Sequence, residues 1–165
     1  MTFIVGDKAV YPGRGVGEIT AIEQRALGGS NKDFYILRMN AGKTDPNAKV
    51  MVATDAVERV GLRQVISKTD ANRVMKELKK DEVAVTSQPW NRRFREYTDM
   101  LHSGSPIKVA KVLRDLSRVR QEKGELSYGE RQLMDKAKSL LVTEIALAKQ
   151  ASEEKVAEDI DTILA

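Results

Sequence analysis

A chain of 165 residues suffices for one ordinary domain or two small ones. Hydrophobic residues at 41%, charged residues at 32% and a mean hydropathy of −0.41 exclude a disordered chain, and the formal charge of +4 favours a polyanionic partner. The absence of cysteine excludes disulfides, thiolate zinc sites and a cysteine nucleophile. No apolar run reaches membrane-spanning length and no signal pattern opens the chain, so a cytoplasmic protein without a membrane partner is expected.

Up to residue 66 the pattern is of short β-type runs. Lys8-Ala9-Val10-Tyr11, Val16 to Glu23, Phe34 to Met39 and Lys49 to Val52 alternate with turn residues. The separators are Pro12-Gly13-Arg14-Gly15, Gly28-Gly29-Ser30-Asn31, and Asn40-Ala41-Gly42-Lys43 through Pro46-Asn47. Short, closely spaced strands with glycine-rich turns predict a small, strongly bent barrel. Thr54 to Glu58 fits a helical turn, and Gly61-Leu62-Arg63 closes the unit. Pro12 to Gly17 superficially resembles a phosphate loop, but a β-type run follows instead of a helix, so a tight turn between strands is expected.

Beyond residue 66 the period becomes helical. Thr69 or Asp70 is the expected cap of a helix running to about Lys80. Pro89 opens a second, which ends near Ser103-Gly104-Ser105, with Ser87 or Gln88 as its expected cap. Ser105-Pro106 opens a third, running to about Lys123, and Ser127 to Glu130 forms a capping box opening a fourth to about Gln150. Ser152-Glu153-Glu154 begins the last, which ends at Ile163-Leu164. The organisation expected is therefore α+β: a β module over 1–66 and an all-α domain over 67–165.

Charge is unevenly spread along this plan. Residues 1–66 hold nine Lys/Arg against seven Asp/Glu, residues 67–125 fourteen against nine, and residues 126–165 five against eight. The basic excess of +5 therefore sits in the middle stretch, around the single tryptophan. There, Trp90-Asn91-Arg92-Arg93-Phe94-Arg95 sets a flat ring beside three guanidinium groups. Such an arrangement suits nucleic acid: the cations hold phosphates while the indole stacks on a base or levers into a base step. The alternative is a core-anchoring tryptophan beside solvated arginines. In the third helix Val109, Val112, Leu113, Leu116 and Val119 mark the apolar side, and Lys108, Lys111, Arg114 and Arg118 line the opposite side as a single-sign stripe. His102, the sole histidine, fits a helix-end role. Nothing in the sequence assembles a nucleophile–base pair or a metal site, so neither an enzyme nor a cofactor is expected.

Val5-Gly6-Asp7-Lys8-Ala9-Val10-Tyr11-Pro12 followed by Gly15-Val16-Gly17 resembles the opening of the bacterial CarD/CdnL transcription regulators. In that family the N-terminal module is shared with transcription-repair coupling factor, where it binds RNA polymerase. Val60-Gly61-Leu62-Arg63 is similar to the end of that module. Trp90 to Arg95, Lys108-Val109-Ala110 with Val112 to Leu116, and Leu126-Ser127 with Gly129-Glu130-Arg131 resemble the helical domain in order and spacing. The likeness is to stand-alone CdnL-type members.

The resemblance implies a Tudor-like barrel that docks on the β subunit of RNA polymerase. It implies a helical domain lying on promoter DNA at the upstream edge of the melted bubble. A tryptophan at the position of Trp90 wedges into the minor groove there and slows bubble collapse. The family's basic DNA contacts fall at Arg92, Arg93, Arg95 and Arg131. A further one falls at Val119, which leaves Arg118 or Arg120 to carry it. One polymerase-contact arginine matches Arg25. Another falls at Met51, a departure from the family, for which Lys49 on the same strand face is the candidate substitute. A monomer is expected. Two other readings stand beside this one: an RNA- or ribosome-binding module whose barrel touches nucleic acid, and a protein–protein adaptor with Trp90 buried in its core.

Overall fold

A computed structural model describes residues 2–39, 48–82 and 88–165. The chain divides into two compact units between Val65 and Ile66.

The first unit is a five-stranded antiparallel sheet of order β4-β3-β2-β1-β5. Its strands are β1 (Lys8–Tyr11), β2 (Gly15–Leu27), β3 (Ser30–Met39), β4 (Lys49–Ala53) and β5 (Arg63–Gln64), with a short helix α1 (Val57–Val60) before the last. The expected turn at Pro12 to Arg14 joins β1 to β2, where the Arg14 amide donates to the Tyr11 carbonyl at 2.9 Å. The β2–β3 connection is only two residues long. Gly28 and Gly29 have φ of 57° and 82°, the positive values that a hairpin turn matched to strand twist requires at both central positions. A register shift between Ile19 and Ala21 marks a bulge in β2. The core face gathers Phe3, Ile19, Tyr35, Leu37, Val52 and Leu62, and Phe3 meets Tyr35 edge-on with ring centroids 5.7 Å apart.

Both long strands run further than their hydrophobic pattern. From Gln24 to Asp33 every residue is exposed, so no apolar alternation exists there to announce a strand; the glycine turn and cross-strand pairing alone hold the ribbon. The two-residue β5, paired to β1 through Ala9 and Val10, is too short to show a period. The stretch expected to be a turn at Asn40 to Asn47 lies outside the described residues.

The second unit comprises α2 (Lys68–Lys79), α3 (Trp90–Leu101), α4 (Pro106–Lys123), α5 (Tyr128–Lys149) and α6 (Glu153–Leu164). Helix α4 packs against α2, α3 and α5, and α5 also packs on α6. The expected stripe of Val109, Val112, Leu113, Leu116 and Val119 is buried, with Leu78, Leu141, Ile145 and Ile160 completing the centre. Ser105 and Ser127 cap α4 and α5 as expected, Ser127 within a complete capping box. The cap of α2 lies earlier than expected. Ser67 accepts from the Asp70 amide at 3.1 Å, which places Thr69 and Asp70 inside the first turn.

Candidate nucleic-acid interface

Helix α3 starts at Trp90 behind Pro89, without a side-chain cap; Gln88 does not supply one, and Ser87 lies outside the described residues. Trp90, Arg93 and Tyr97 recur at helical spacing and share the inward face. Trp90 is partly buried against the helical core. It is neither the fully buried anchor of the adaptor reading nor a free ring. Its Phe94 neighbour, one turn on, is 44% exposed, with ring centroids 5.8 Å apart.

The three arginines do not form one exposed cluster. Arg92 and Arg95 are exposed, Arg92 pairing with Glu96 at 3.3 Å. Arg93 is 7% exposed and faces the protein interior, which corrects its expected place on the DNA-facing surface. Its guanidinium carbon lies 5.4 Å from the Trp90 ring centroid and 5.8 Å from that of Tyr97. Its Nη2 sits 3.7 Å from Oε2 of Glu130, the third residue of α5. Burial pushes the Glu130 carboxyl up, but hydrogen bonds from Ser127 and the charges of Lys123 and Arg93 bring it below its ordinary value, so it stays ionised. The Tyr97 phenol is raised by its burial and by Asp115.

Helix α5 supplies the other wall. A Cβ on Gly129 would come to 3.0 Å from Cζ2 of the indole, so any larger residue there would push the ring by a few tenths of an ångström, and glycine lets the first turn of α5 lie directly against Trp90. Arg131 is exposed on the same helix, its guanidinium 3.5 Å from the Leu126 carbonyl. Together Trp90, Arg93, Lys123, Ser127, Tyr128, Gly129 and Glu130 line one open depression. Sequence reasoning identified Glu130 only as a capping residue and did not single out Gly129 as a wall. The cue for both was the position of the capping box, which sets these two residues in the first turn of α5.

The basic stripe of α4 is also corrected. Arg114 is 2% exposed; its Nη1 donates to the Glu77 carbonyl at 2.9 Å and to Oε1 of Glu77 at 3.2 Å, and its Nη2 donates to Glu82 at 2.9 Å. Arg118, partly buried, donates to Asp81 at 2.7 Å and to the Lys80 carbonyl at 3.0 Å. The cause is the central position of α4: the side opposite its apolar stripe is covered by the end of α2, so Arg114 acts as an internal tie, while Arg118 makes a surface pair with the exposed Asp81. Lys108 remains exposed and Lys111 partly so. His102 ends α3, its Nδ1 donating to the Thr98 carbonyl at 2.8 Å.

In the β unit the pairing register sets Arg25 opposite Lys32, Ile36 opposite Met51 and Arg38 opposite Lys49. Because facing residues share a side and alternate residues along a strand do too, Arg25, Lys49 and Met51 lie on one face of the sheet. Met51 is 45% exposed there, and Arg25 pairs with Glu23 at 2.8 Å.

The molecule so built is a two-unit binding protein: a sheet with an exposed ribbon, and a helical bundle carrying an indole among cations. Among the described residues no group of His, Asp and Glu is placed to hold a metal ion, and no helix is long and apolar enough to cross a membrane. The family model for the CarD C-terminal domain matches residues 73–161, and that for the CarD-like/TRCF RID domain matches residues 3–66. The chain belongs to the CarD family, and as a member it is a non-enzymatic transcription regulator. It is 29% identical over 154 residues to the putative transcription factor YdeB of Bacillus subtilis, covering 93% of this chain and 97% of that protein. The N-terminal domain of Myxococcus xanthus CarD is 32% identical over 38% of this chain and 79% of its own, with a TM-score of 0.32. The Myxococcus xanthus structure designated CdnLNt is 42% identical over 41% of this chain and 89% of its own, with a TM-score of 0.33.

Proposed function

We propose that the protein binds the β subunit of RNA polymerase through its sheet unit. Its helical unit then stabilises the promoter open complex, with Trp90 inserted into the minor groove at the upstream fork. The observation that carries this reading is a partly exposed indole clamped on two sides and attended by the exposed cations Arg92, Arg95 and Arg131. The cations neutralise phosphates without reading sequence, while the ring wedges at a base step. Arg25, Lys49 and Met51, sharing one face of the sheet, form the polymerase contact. Arg93 is not among the direct DNA contacts, because internal partners engage it, whereas Arg118, partly exposed and paired with the exposed Asp81, stays among them.

Few exposed cations give weak, salt-sensitive and sequence-tolerant DNA affinity, so promoter location comes from the polymerase. A wedge that fits only melted DNA shifts the closed–open equilibrium by its differential affinity. The test is open-complex lifetime on a linear promoter fragment after competitor challenge. Addition of the protein lengthens it, and Trp90→Ala removes the effect while pull-down of the β subunit persists. An unchanged lifetime with the Ala variant overturns the wedge.

A further inference from the structure

Arg93 occupies an expensive position. It lies in the first turns of α3, where the helix dipole already disfavours a cation, and no acidic residue in the first turn of α3 offsets it. Its Nε and Nη2, together with Oε2 of Glu130, are buried without a hydrogen-bond partner. Burying such atoms unmatched is costly; Arg114 on α4 leaves only its Nε unpartnered and sets both Nη atoms on acceptors, whereas Arg93 leaves Nε and Nη2 and the facing carboxylate oxygen unmatched. What Arg93 gains is a location: between the Trp90 and Tyr97 rings and facing Glu130. Glu130 is fixed by the capping box at the start of α5, and adjacent Gly129 meets the indole from that side. The guanidinium therefore locks the first turn of α3 to the first turn of α5, with the indole held between Arg93 and Gly129.

We propose that Arg93 is a positioning residue: it acts on DNA only through Trp90, by fixing the plane of the indole so that the ring's free edge is presented rigidly. This rests on the wedge reading of Trp90. A mobile ring would have to be ordered at the moment of insertion, and that cost would subtract from its hold on the fork.

The experiment compares Arg93→Met, Arg93→Lys and Gly129→Ala with Arg95→Met, an exposed control, in the full chain. Because Trp90 is the only tryptophan, its fluorescence anisotropy and acrylamide quenching report on this ring alone. The three clamp variants should lower the anisotropy or raise the quenching of Trp90. They should also shorten open-complex lifetime, Arg93→Met by about two- to thirtyfold, the range of a lost cation–π contact. The salt slope for binding a DNA duplex with a preformed bubble should stay at the wild-type value in all three. Arg95→Met should do the reverse: a slope reduced by about 0.9 and an undisturbed indole. Arg93→Lys keeps the charge and Gly129→Ala keeps Arg93 itself, so the result does not depend on how well Arg93→Met folds. A slope reduced in Arg93→Met but retained in Arg93→Lys, with indole motion unchanged in both, would make Arg93 a phosphate contact and overturn the proposal. The indole measurements need no polymerase, so failure of the wedge reading, seen as an inert Trp90→Ala, is separable from failure of the clamp.

Discussion

Arg114→Met tests whether a basic residue in the middle of this chain serves the fold or the DNA. The side chain is 2% exposed and reaches three acceptor atoms, two on Glu77 and one on Glu82. Methionine preserves much of the volume, so little cavity term arises. The loss is electrostatic. Glu77, itself 5% exposed, is left with Lys80 alone, at 2.8 Å, to balance its charge. Removing one partner of a buried pair costs about 3–5 kcal/mol, whereas an exposed pair is worth about 0–1 kcal/mol. The Glu82 contact counts toward the lower figure, since that carboxylate is 57% exposed. A net loss of about 3 kcal/mol is therefore expected, measured as a fall in urea midpoint followed by helical circular dichroism. The salt slope of DNA binding should not change. A stability loss under about 1 kcal/mol, or a slope reduced as though a phosphate contact had gone, would refute the assignment of Arg114 as an internal tie.

The pH dependence of stability has a definite sign. Burial raises the Glu77 carboxyl, but hydrogen bonds and charge from Lys80 and Arg114 outweigh it, and the folded pKa is lowered. The unfolded chain thus binds the proton more readily, so this contribution is complete above the ordinary carboxylate range near pH ~4 and is lost as pH falls through the folded value. Glu77→Gln should flatten the acid limb of a stability–pH curve; an unaltered limb would assign the acid sensitivity elsewhere. Arg25→Glu should abolish capture of the polymerase β subunit while leaving the melting temperature unchanged, and undiminished capture would move the docking face off this side of the sheet.

The sequence showed most where hydrophobic period and capping chemistry agree. The apolar stripe of α4, the Ser105-Pro106 start and the Ser127 capping box are all present at their expected residues. So is the tight turn before β2. What it concealed has a common cause: a cation reads the same on a sequence whether it faces water or another helix. Arg93 and Arg114 belong to apparently solvated groups, yet a carboxylate distant in the chain draws each inward, 37 residues apart in each case for Arg114–Glu77 and Arg93–Glu130. Pro89, as a helix opener, placed Trp90 in a first turn, but nothing local supplied the wall formed by Gly129.

The ribbon from Gln24 to Asp33 carries a consequence for how such a protein changes over time. With its residues exposed and no third strand alongside among the described residues, its side chains bear almost none of the weight of the sheet, whose interior is filled by Phe3, Ile19 and Leu37. Exchanging residues along this arm therefore alters the surface it offers to solvent while the fold beneath it stays intact. The outer stretch of this hairpin is thus free to drift without endangering the fold carried by the inner one.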